Sequence, residues 1–177
     1  HLGKISTVNI LPAKEDQGIV FKRIDLNKNN EILANHENVS SARLCTTLEN
    51  KHGVKVSTVE HLLAAFYIIG IDNAVVEIDS EEVPIMDGSA YKFLNDIQKQ
   101  GLKELSKKRK YLNISKKLEL IDGERKISIE KSNSTFNVEF KLNYQNNIIG
   151  NQSNKVNFNE NDLHDVISSR TFCLFED

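Results

Sequence analysis

The sequence has little cysteine and no excess of charge of either sign. Its two cysteines, Cys45 and Cys173, lie far apart and neither belongs to a C-x-x-C pair, which argues against a disulfide framework and a thiolate zinc site. The 23 Lys and Arg residues balance 25 Asp and Glu residues, and the net charge of -2 gives no basic footprint for a nucleic-acid backbone. We therefore expect a protein of a reducing compartment that does not bind nucleic acid.

The sequence also lacks a long apolar run and a recognisable leader. Its longest apolar run, residues 62–69, is far shorter than the ~20 residues that cross a bilayer, so no transmembrane segment is predicted. The opening HLGKISTVNI has no signal-peptide pattern and no initiator Met, so we expect the natural chain to begin earlier. A chain of 177 residues with 39% hydrophobic residues suits one globular domain, or one domain and part of another.

Strand and helix patterns alternate through the first hundred residues. We predict strands at residues 6–11, 18–26, 42–48, 54–56 and 74–79, and helices at residues 58–69 and 89–100. The first two strands form a plausible pair, and the polar residues 27–41 interrupt the pattern. Gly70 is expected to end the first helix, and Ser89 to cap the second. The last four of these elements make one βαβα unit.

The second half begins with a charged segment, KELSKKRK at residues 103–110, which we interpret as a solvated linker. Strands are predicted at residues 111–120, 127–129, 136–142 and 156–158, followed by a helical segment from residue 162. The first pair surrounds the turn residues Asp122 and Gly123, which is typical of a hairpin. The pattern predicts an α+β protein with a first domain at residues 1–102 and a second domain at residues 111–177 that is incomplete.

The stretch STVEHLLAA places Glu60 beside His61 where the first helix is predicted to begin. One interpretation is a capping box, in which Ser57 caps the helix and Glu60 reaches back to the backbone N–H of Ser57. The other is that a general base and a metal ligand occupy the first turn of a rigid element. These nine residues alone leave both interpretations open.

Three separated stretches carry a family resemblance. TVEHLLAAFYIIGIDNAVVEID, EVPIMDGSA and SRTFCLFED closely resemble the zinc-dependent UDP-3-O-acyl-N-acetylglucosamine deacetylases, which catalyse the committed step of lipid A synthesis in Gram-negative bacteria. Their order and spacing also match, and ARLCTTLEN and the opening HLGK extend the resemblance over nearly the whole chain. It implies two similar two-layer domains, each a small sheet packed on helices, with the active site between them and an insert near residues 27–51. It also implies a cytoplasmic enzyme, with peripheral contact to the inner membrane among its expected interactions.

The chemistry that this resemblance implies is zinc-dependent removal of the N-acetyl group from a UDP-linked acylated glucosamine. Glu60 would be the general base, which accepts a proton from the attacking water, and His61 would be one Zn²⁺ ligand. A helix N-terminus suits both roles, because the positive end of the helix dipole favours an ionised carboxylate and a neutral imidazole. Any capping contact of Glu60 then becomes secondary.

Five further residues are assigned to the substrate by the resemblance. The Thr171 hydroxyl is expected near the reacting carbonyl and the Phe172 ring near the sugar. Leu44 and Cys45 belong to the insert that faces the substrate, and His1 is expected near the cleft. Without the resemblance, Phe172 would be interpreted as a core aromatic, and burial in a short strand explains Leu44 and Cys45 equally well.

Family members continue beyond the RTF segment. An H-K-x-x-D segment supplies a second His and an Asp ligand of zinc, and a later His acts as general acid. The 177 residues hold none of these, so we expect them to be the N-terminal part of the enzyme and inactive alone. The alternative is a non-catalytic α+β binding module of the ribosomal-protein-like type, against which the lack of a basic face argues.

Overall fold

The computed structural model of the chain describes residues 2–133, 135–146, 148–158 and 162–173. These residues form an α+β fold built from several small sheets and a few helices, as the sequence predicts. His1, one of the predicted substrate residues, lies outside the described residues. The chain divides into two compact units, residues 1–109 with 167–177, and residues 110–166. The predicted domain boundaries stay predictions.

The first unit contains seven of the described strands, two complete α-helices and the short 3-10 helix His36–Asn38. In chain order the strands and α-helices are β1 (Val8–Pro12), β2 (Ile19–Arg23), β3 (Glu31–Leu33), β4 (Val39–Ser41), β5 (Thr47–Glu49), β6 (Lys55–Ser57), α1 (Glu60–Ile69), β7 (Ala74–Ile78) and α2 (Tyr91–Gln100). They make a four-stranded sheet, ordered β1-β7-β2-β3, and a three-stranded sheet, ordered β4-β5-β6.

The predicted pairing of the first two strands is wrong. β7 lies between them, antiparallel to β1 and parallel to β2. Ala74, Val76 and Ile78 alternate as buried positions along β7, which suits a strand at the centre of the sheet. Within residues 27–51, β3 joins the four-stranded sheet, whereas β4 pairs with β5 and β5 pairs with β6. β6 and β7 thus belong to different sheets, and no single βαβα unit is formed. The insert near residues 27–51 stays a prediction.

The two helices pack against each other and contribute to the core of the first unit. α1 ends at Gly70, which adopts the left-handed conformation (φ 89°) that the sequence predicts for the end of this helix. α2 ends at Gly101. The helices and the four-stranded sheet bury a shared set of apolar side chains: Phe21, Ile32, Val76, Ile78, Leu62, Ala65, Phe66, Phe93 and Leu94.

The charged segment at residues 103–110 is exposed, but hydrogen bonds and ion pairs attach it to the first unit. Glu15 Oε1 accepts hydrogen bonds from the backbone and hydroxyl of Ser106, and Lys107 Nζ lies 2.6 Å from Asp16 Oδ2. Arg109 Nη2 donates to the Gly70 carbonyl oxygen (2.6 Å), where a cation complements the negative end of the α1 dipole. The segment is therefore fastened to the first unit up to residue 109.

Glu15→Ala is expected to increase tryptic cleavage within residues 107–110 several-fold, because it removes the acceptor that orders Ser106 and Lys107. Glu37→Ala, at an exposed glutamate of the 3-10 helix His36–Asn38, is the matched control. Equal cleavage of the two variants would contradict the anchoring role of Glu15.

The same contact should depend on pH. Hydrogen bonds from Ser106 lower the pKa of the Glu15 carboxyl below its ordinary value of 4.5. A lowered pKa means that the stabilisation is complete above the ordinary value and is lost as the pH falls through the lower pKa of the folded state. Hydrogen exchange of the Ser106 amide should therefore be protected at neutral pH and lose that protection only below pH 4.5.

The second unit is built from two hairpins, with α3 (Asp162–Ser168) beginning within it. β8 (Leu118–Asp122) pairs with β9 (Arg125–Ile129), and β10 (Asn137–Asn143) pairs with β11 (Asn151–Asn157). The first hairpin is the predicted one, although its turn residues are Gly123 and Glu124, one position later than predicted. Its cross-strand pairs Leu118 with Ile129 and Leu120 with Ile127 share one face, and all four side chains are exposed.

Candidate functional site

Glu60 and His61 are the first two residues of α1 and both are half-buried. One oxygen of the Glu60 carboxylate, Oε2, accepts a hydrogen bond from the backbone N–H of Thr46 at 3.1 Å. The Thr46 carbonyl oxygen in turn accepts from the Val59 N–H at 3.5 Å. The loop before β5 is therefore joined to the start of α1 through both the N–H and the carbonyl oxygen of Thr46.

The predicted capping box is wrong in both of its halves. Ser57 is the last residue of β6, and its backbone N–H and hydroxyl both donate to the Glu81 carbonyl oxygen, at 2.8 and 3.1 Å. Val59 occupies the N-cap position without a side-chain hydrogen bond, and Glu60 is bonded to Thr46 instead of Ser57. Pairing with the segment at Glu81 uses the donors of Ser57, and the helix begins two residues later than a Ser57 cap would require.

Leu44 and Cys45 do not lie in a strand, so burial in a short strand does not explain them. Strand β5 begins only at Thr47, and Leu44 is 57% exposed. Cys45 is half-buried, with its Sγ atom 3.8 Å from Thr47 Oγ1. Both residues directly precede Thr46, so the loop that carries them is the one bonded to Glu60.

Three residues in this region have a left-handed backbone that side chains other than glycine rarely adopt. They are Leu44 (φ 64°), Thr58 (φ 58°) and Met86 (φ 55°). Thr58 is the least expected, because it is β-branched, and it is also buried, with its hydroxyl donating to Glu82 Oε1 at 2.9 Å. Such strain costs about 1–3 kcal/mol per residue and is enriched at functional sites, which supports a functional reading of this region.

The PIMDGSA segment forms a turn that holds the residues after α3. Gly88 (φ 84°) accepts a hydrogen bond at its carbonyl oxygen from the Thr171 N–H, at 2.8 Å. The Ser89 hydroxyl donates to Asp87 Oδ1 and lowers the pKa of that carboxyl below its ordinary value, and nearby Arg170 adds to the effect. Thr171 is thus attached to Gly88, whereas Phe172 is 56% exposed and is not a core aromatic.

Ser89 is the predicted N-cap of α2, but it lies one residue before the N-cap position. Its hydroxyl oxygen accepts from the N–H of Tyr91, the first residue of α2, at 3.2 Å. Ala90 occupies the N-cap position itself, with no side-chain cap bond. The predicted interaction with the helix start is therefore present, although Ser89 is not the cap residue.

The described residues do not by themselves make a metal site. No group of three or more His, Cys, Asp or Glu side chains within residues 2–133, 135–146, 148–158 and 162–173 is arranged to hold a metal ion. A catalytic zinc typically has three protein ligands. The imidazole of His61 fits zinc as a donor, but it represents only one ligand. In the same part of the chain, no helix has both the length and the apolar composition to span a membrane.

The sequence reading missed the residues that support Glu60 and Ser57. Thr46 contributes through its backbone, which no residue pattern reveals, and Glu81 accepts through its carbonyl oxygen. Glu82 accepts from Thr58, whose left-handed backbone also has no signal in the sequence. Glu81 and Glu82 lie more than twenty residues from their donors, Ser57 and Thr58. These contacts therefore depend on how β6 meets the segment after β7 in the fold.

Comparison with known proteins gives a consistent result. The family model described as LpxC, UDP-3-O-acyl N-acetylglycosamine deacetylase, matches residues 1–177. A UDP-3-O-acyl-N-acetylglucosamine deacetylase of Geotalea uraniireducens is 43% identical over 97% of this chain and 56% of its own length. Proteins of the same name from Nautilia profundicola and Aliivibrio fischeri are 38% and 36% identical over all of this chain, and over 60% and 59% of their own lengths.

The matched length defines what these similarities cover. The chain spans well under two thirds of the length of each of these relatives, while nearly all of its own residues are aligned. Nothing in the comparisons favours the alternative of a non-catalytic binding module. Because the family model covers every residue from 1 to 177, the chain belongs to the UDP-3-O-acyl-N-acetylglucosamine deacetylase family.

Proposed function

We propose that the complete protein removes the N-acetyl group from a UDP-linked 3-O-acyl glucosamine as part of lipid A synthesis. The observation that carries the proposal is the placement of Glu60 beside His61 at the start of α1, with the Glu60 carboxylate oriented by Thr46. The family of the chain supports the reaction type, since the relatives are named for this deacetylation.

Glu60 is proposed as the general base. The Thr46 amide binds Oε2, so the lone pairs of Oε1 are the natural acceptor for a proton from the attacking water. As the first residue of α1, Glu60 lies at the positive end of the helix dipole, a position that suits an acidic side chain. Its support from a backbone amide also limits the rotation of the carboxylate.

His61 is proposed as one ligand of zinc in the complete protein, with the other ligands supplied by the part of the relatives that this chain does not cover. When bound, zinc would polarise the substrate amide and the attacking water. The contribution of this chain is to hold the imidazole on the first turn of a packed helix, next to the base. This placement would keep the base and the imidazole together on one rigid element.

Thr171, Phe172, Leu44, Cys45 and His1 are proposed as substrate residues. The exposure of Phe172 and Leu44 supports this role, because neither side chain is needed to fill the core. Thr171 is held by its backbone at Gly88, which leaves its hydroxyl available for a polar contact with substrate. A cytoplasmic location, peripheral contact with the inner membrane and a fold of two similar layered domains remain parts of the proposal that rest on the family resemblance.

Leu44 offers a test that separates substrate contact from stability. Leu44→Asn should raise the free energy of unfolding by about 0.5–1 kcal/mol, because Asn adopts the left-handed backbone at lower cost than Leu. It should also raise KM, because the apolar contact with substrate is lost. Leu44→Ala is the matched control, since it removes the same side chain without relieving the backbone. Thermal unfolding and steady-state kinetics of both variants would show whether only KM is affected in Leu44→Ala.

The activity itself is tested on the complete protein loaded with zinc. Acetate release should be observed with a UDP-3-O-acyl-N-acetylglucosamine and should be much slower with UDP-N-acetylglucosamine, which lacks the acyl chain. Removing zinc with a chelator should abolish release, and adding zinc back should restore it. Failure of the zinc-loaded protein to release acetate from the acylated substrate would refute the proposed reaction.

A further inference from the structure

Arg23 is a charged side chain buried in the first unit, at 5% exposure. Its Nε and Nη2 atoms donate to the two carboxylate oxygens of Asp25, at 2.8 and 2.6 Å. Its Nη1 atom donates to the backbone carbonyl oxygen of Lys55 at 2.8 Å. A buried guanidinium is tolerated only when its charge and donors are matched, so these three bonds restrict where the partner groups can lie. The pKa of Asp25 is lowered by its hydrogen bonds with Arg23, which keeps the pair ionised.

Arg23 has partners on β6, the strand that precedes α1, and on the segment that follows β7. Lys55 begins β6, which leads directly into Glu60 and His61. On the segment after β7, Glu81 Oε1 lies 3.8 Å from Arg23 Nη1, and the carbonyl oxygen of Glu81 receives both donors of Ser57. Arg23 therefore contacts β6, the strand that precedes Glu60. It also contacts Glu81, to which Ser57 at the end of β6 is bonded.

This connection runs between two separate sheets. Arg23 belongs to β2 of the four-stranded sheet, whereas Lys55 belongs to the three-stranded sheet. A second cross-connection is made by Asn50, whose Nδ2 donates to the carbonyl oxygens of Asn29 and Glu31 at 2.6 and 2.9 Å. Asn50 lies in the turn before β6, at the end of the sheet away from Glu60. The two side chains thus both join the three-stranded sheet to the segment from β2 to β3, Arg23 at the first residue of β6 and Asn50 in the turn before it.

We propose that Arg23, held in place by Asp25, is a positioning residue. It sets the direction in which the chain leaves β6 and therefore where Glu60 and His61 lie. The inference rests on the proposed function of Glu60 as the base. The physical reason is that the bidentate pair with Asp25 fixes the plane of the guanidinium, and the third bond then fixes the carbonyl of Lys55. A small displacement there moves the start of α1, and misplacement of a reacting group by 1 Å can lower a rate about 100-fold.

The test compares Arg23→Lys, Asp25→Asn and Asn50→Ala in the complete, zinc-loaded protein. Lysine keeps the charge but has no planar fork, so it cannot bond both Asp25 oxygens and Lys55 together. Asp25 is partly exposed, so Asp25→Asn should fold even if Arg23→Lys does not. Both variants should lower kcat about 10- to 100-fold with KM changed less than about twofold. Asn50→Ala should lower the melting temperature but leave kcat unchanged.

Amide hydrogen exchange provides a readout that does not depend on the reaction. Exchange of the Ser57 and Thr46 amides should become faster in Arg23→Lys and Asp25→Asn and stay unchanged in Asn50→Ala. The inference is overturned if folded Asp25→Asn keeps the wild-type kcat, or if Asn50→Ala loses kcat to the same extent. If Glu60→Gln retained turnover, the proposed base would fail instead. The exchange data would then still show whether Arg23 controls the geometry of the junction.

Discussion

Replacing Glu60 with Ala is expected to lower kcat of the complete protein at least ~10²-fold, the usual effect of removing a general base. The carboxylate is bonded through Oε2 to the Thr46 amide, so the remaining oxygen is the one that can take the proton. Bound zinc should stay at the wild-type level, because Glu60 is not proposed as a ligand. Steady-state kinetics combined with measured zinc content would test both statements.

Glu60→Gln separates the chemical role of Glu60 from its structural role. The Gln side chain has the same shape, and its carbonyl oxygen can still accept from Thr46, but it cannot take up a proton at neutral pH. We therefore expect Glu60→Gln to lose as much kcat as Glu60→Ala while unfolding like the wild type. Glu60→Ala should unfold somewhat earlier, because it also loses the contact with the loop before β5. Turnover near the wild-type rate in Glu60→Gln would exclude Glu60 as the base.

The 177-residue chain expressed alone is expected to release no measurable acetate and to lose zinc on dialysis. One histidine at the start of α1 is insufficient, because catalytic zinc sites in proteins typically use three protein ligands. The described residues bring no such group together. Zinc content after dialysis and acetate release with the acylated substrate are the two measurements, with the complete protein as the positive control and His61→Ala as the background.

The same chain should also bind a hydrophobic dye or associate at high concentration. Leu120 and Ile127 pair across the β8–β9 hairpin and are 68% and 69% exposed, with Leu118 and Ile129 beside them on the same face. A contiguous apolar face of this kind favours association when it is left uncovered.

Stoichiometric zinc retained by the 177-residue chain through dialysis, together with turnover, would show that the ligands have been wrongly identified.

Local patterns in the sequence were sufficient for most elements and for the ends of both helices. Gly70 and Gly101 follow α1 and α2 directly, and β8 and β9 form the predicted hairpin, in which Asp122 ends β8 and Gly123 begins the turn. These features depend on a few neighbouring residues. The order of the strands does not, because β1 and β2 bear the same alternating pattern whether they pair with each other or with β7.

The surroundings of Glu60 show the same limit at the candidate site. The family motif identified Glu60 and His61 as candidates, but the capping box was wrong because Ser57 pairs with a segment more than twenty residues away. The contacts of the charged segment at residues 103–110 show the same limit. Its composition indicated exposure correctly, but the acceptors that hold it, Glu15 and Asp72, lie far away in the sequence.

The hydrogen bond between Thr46 and Glu60 has a consequence for which substitutions the loop can tolerate. The donor is a backbone amide, and nineteen of the twenty common amino acids carry this group. The orientation of Glu60 should therefore depend little on which side chain occupies position 46. Proline is the exception, because it has no N–H. Position 46 should thus tolerate side chains of many kinds but not proline, because the contact is made by the main chain.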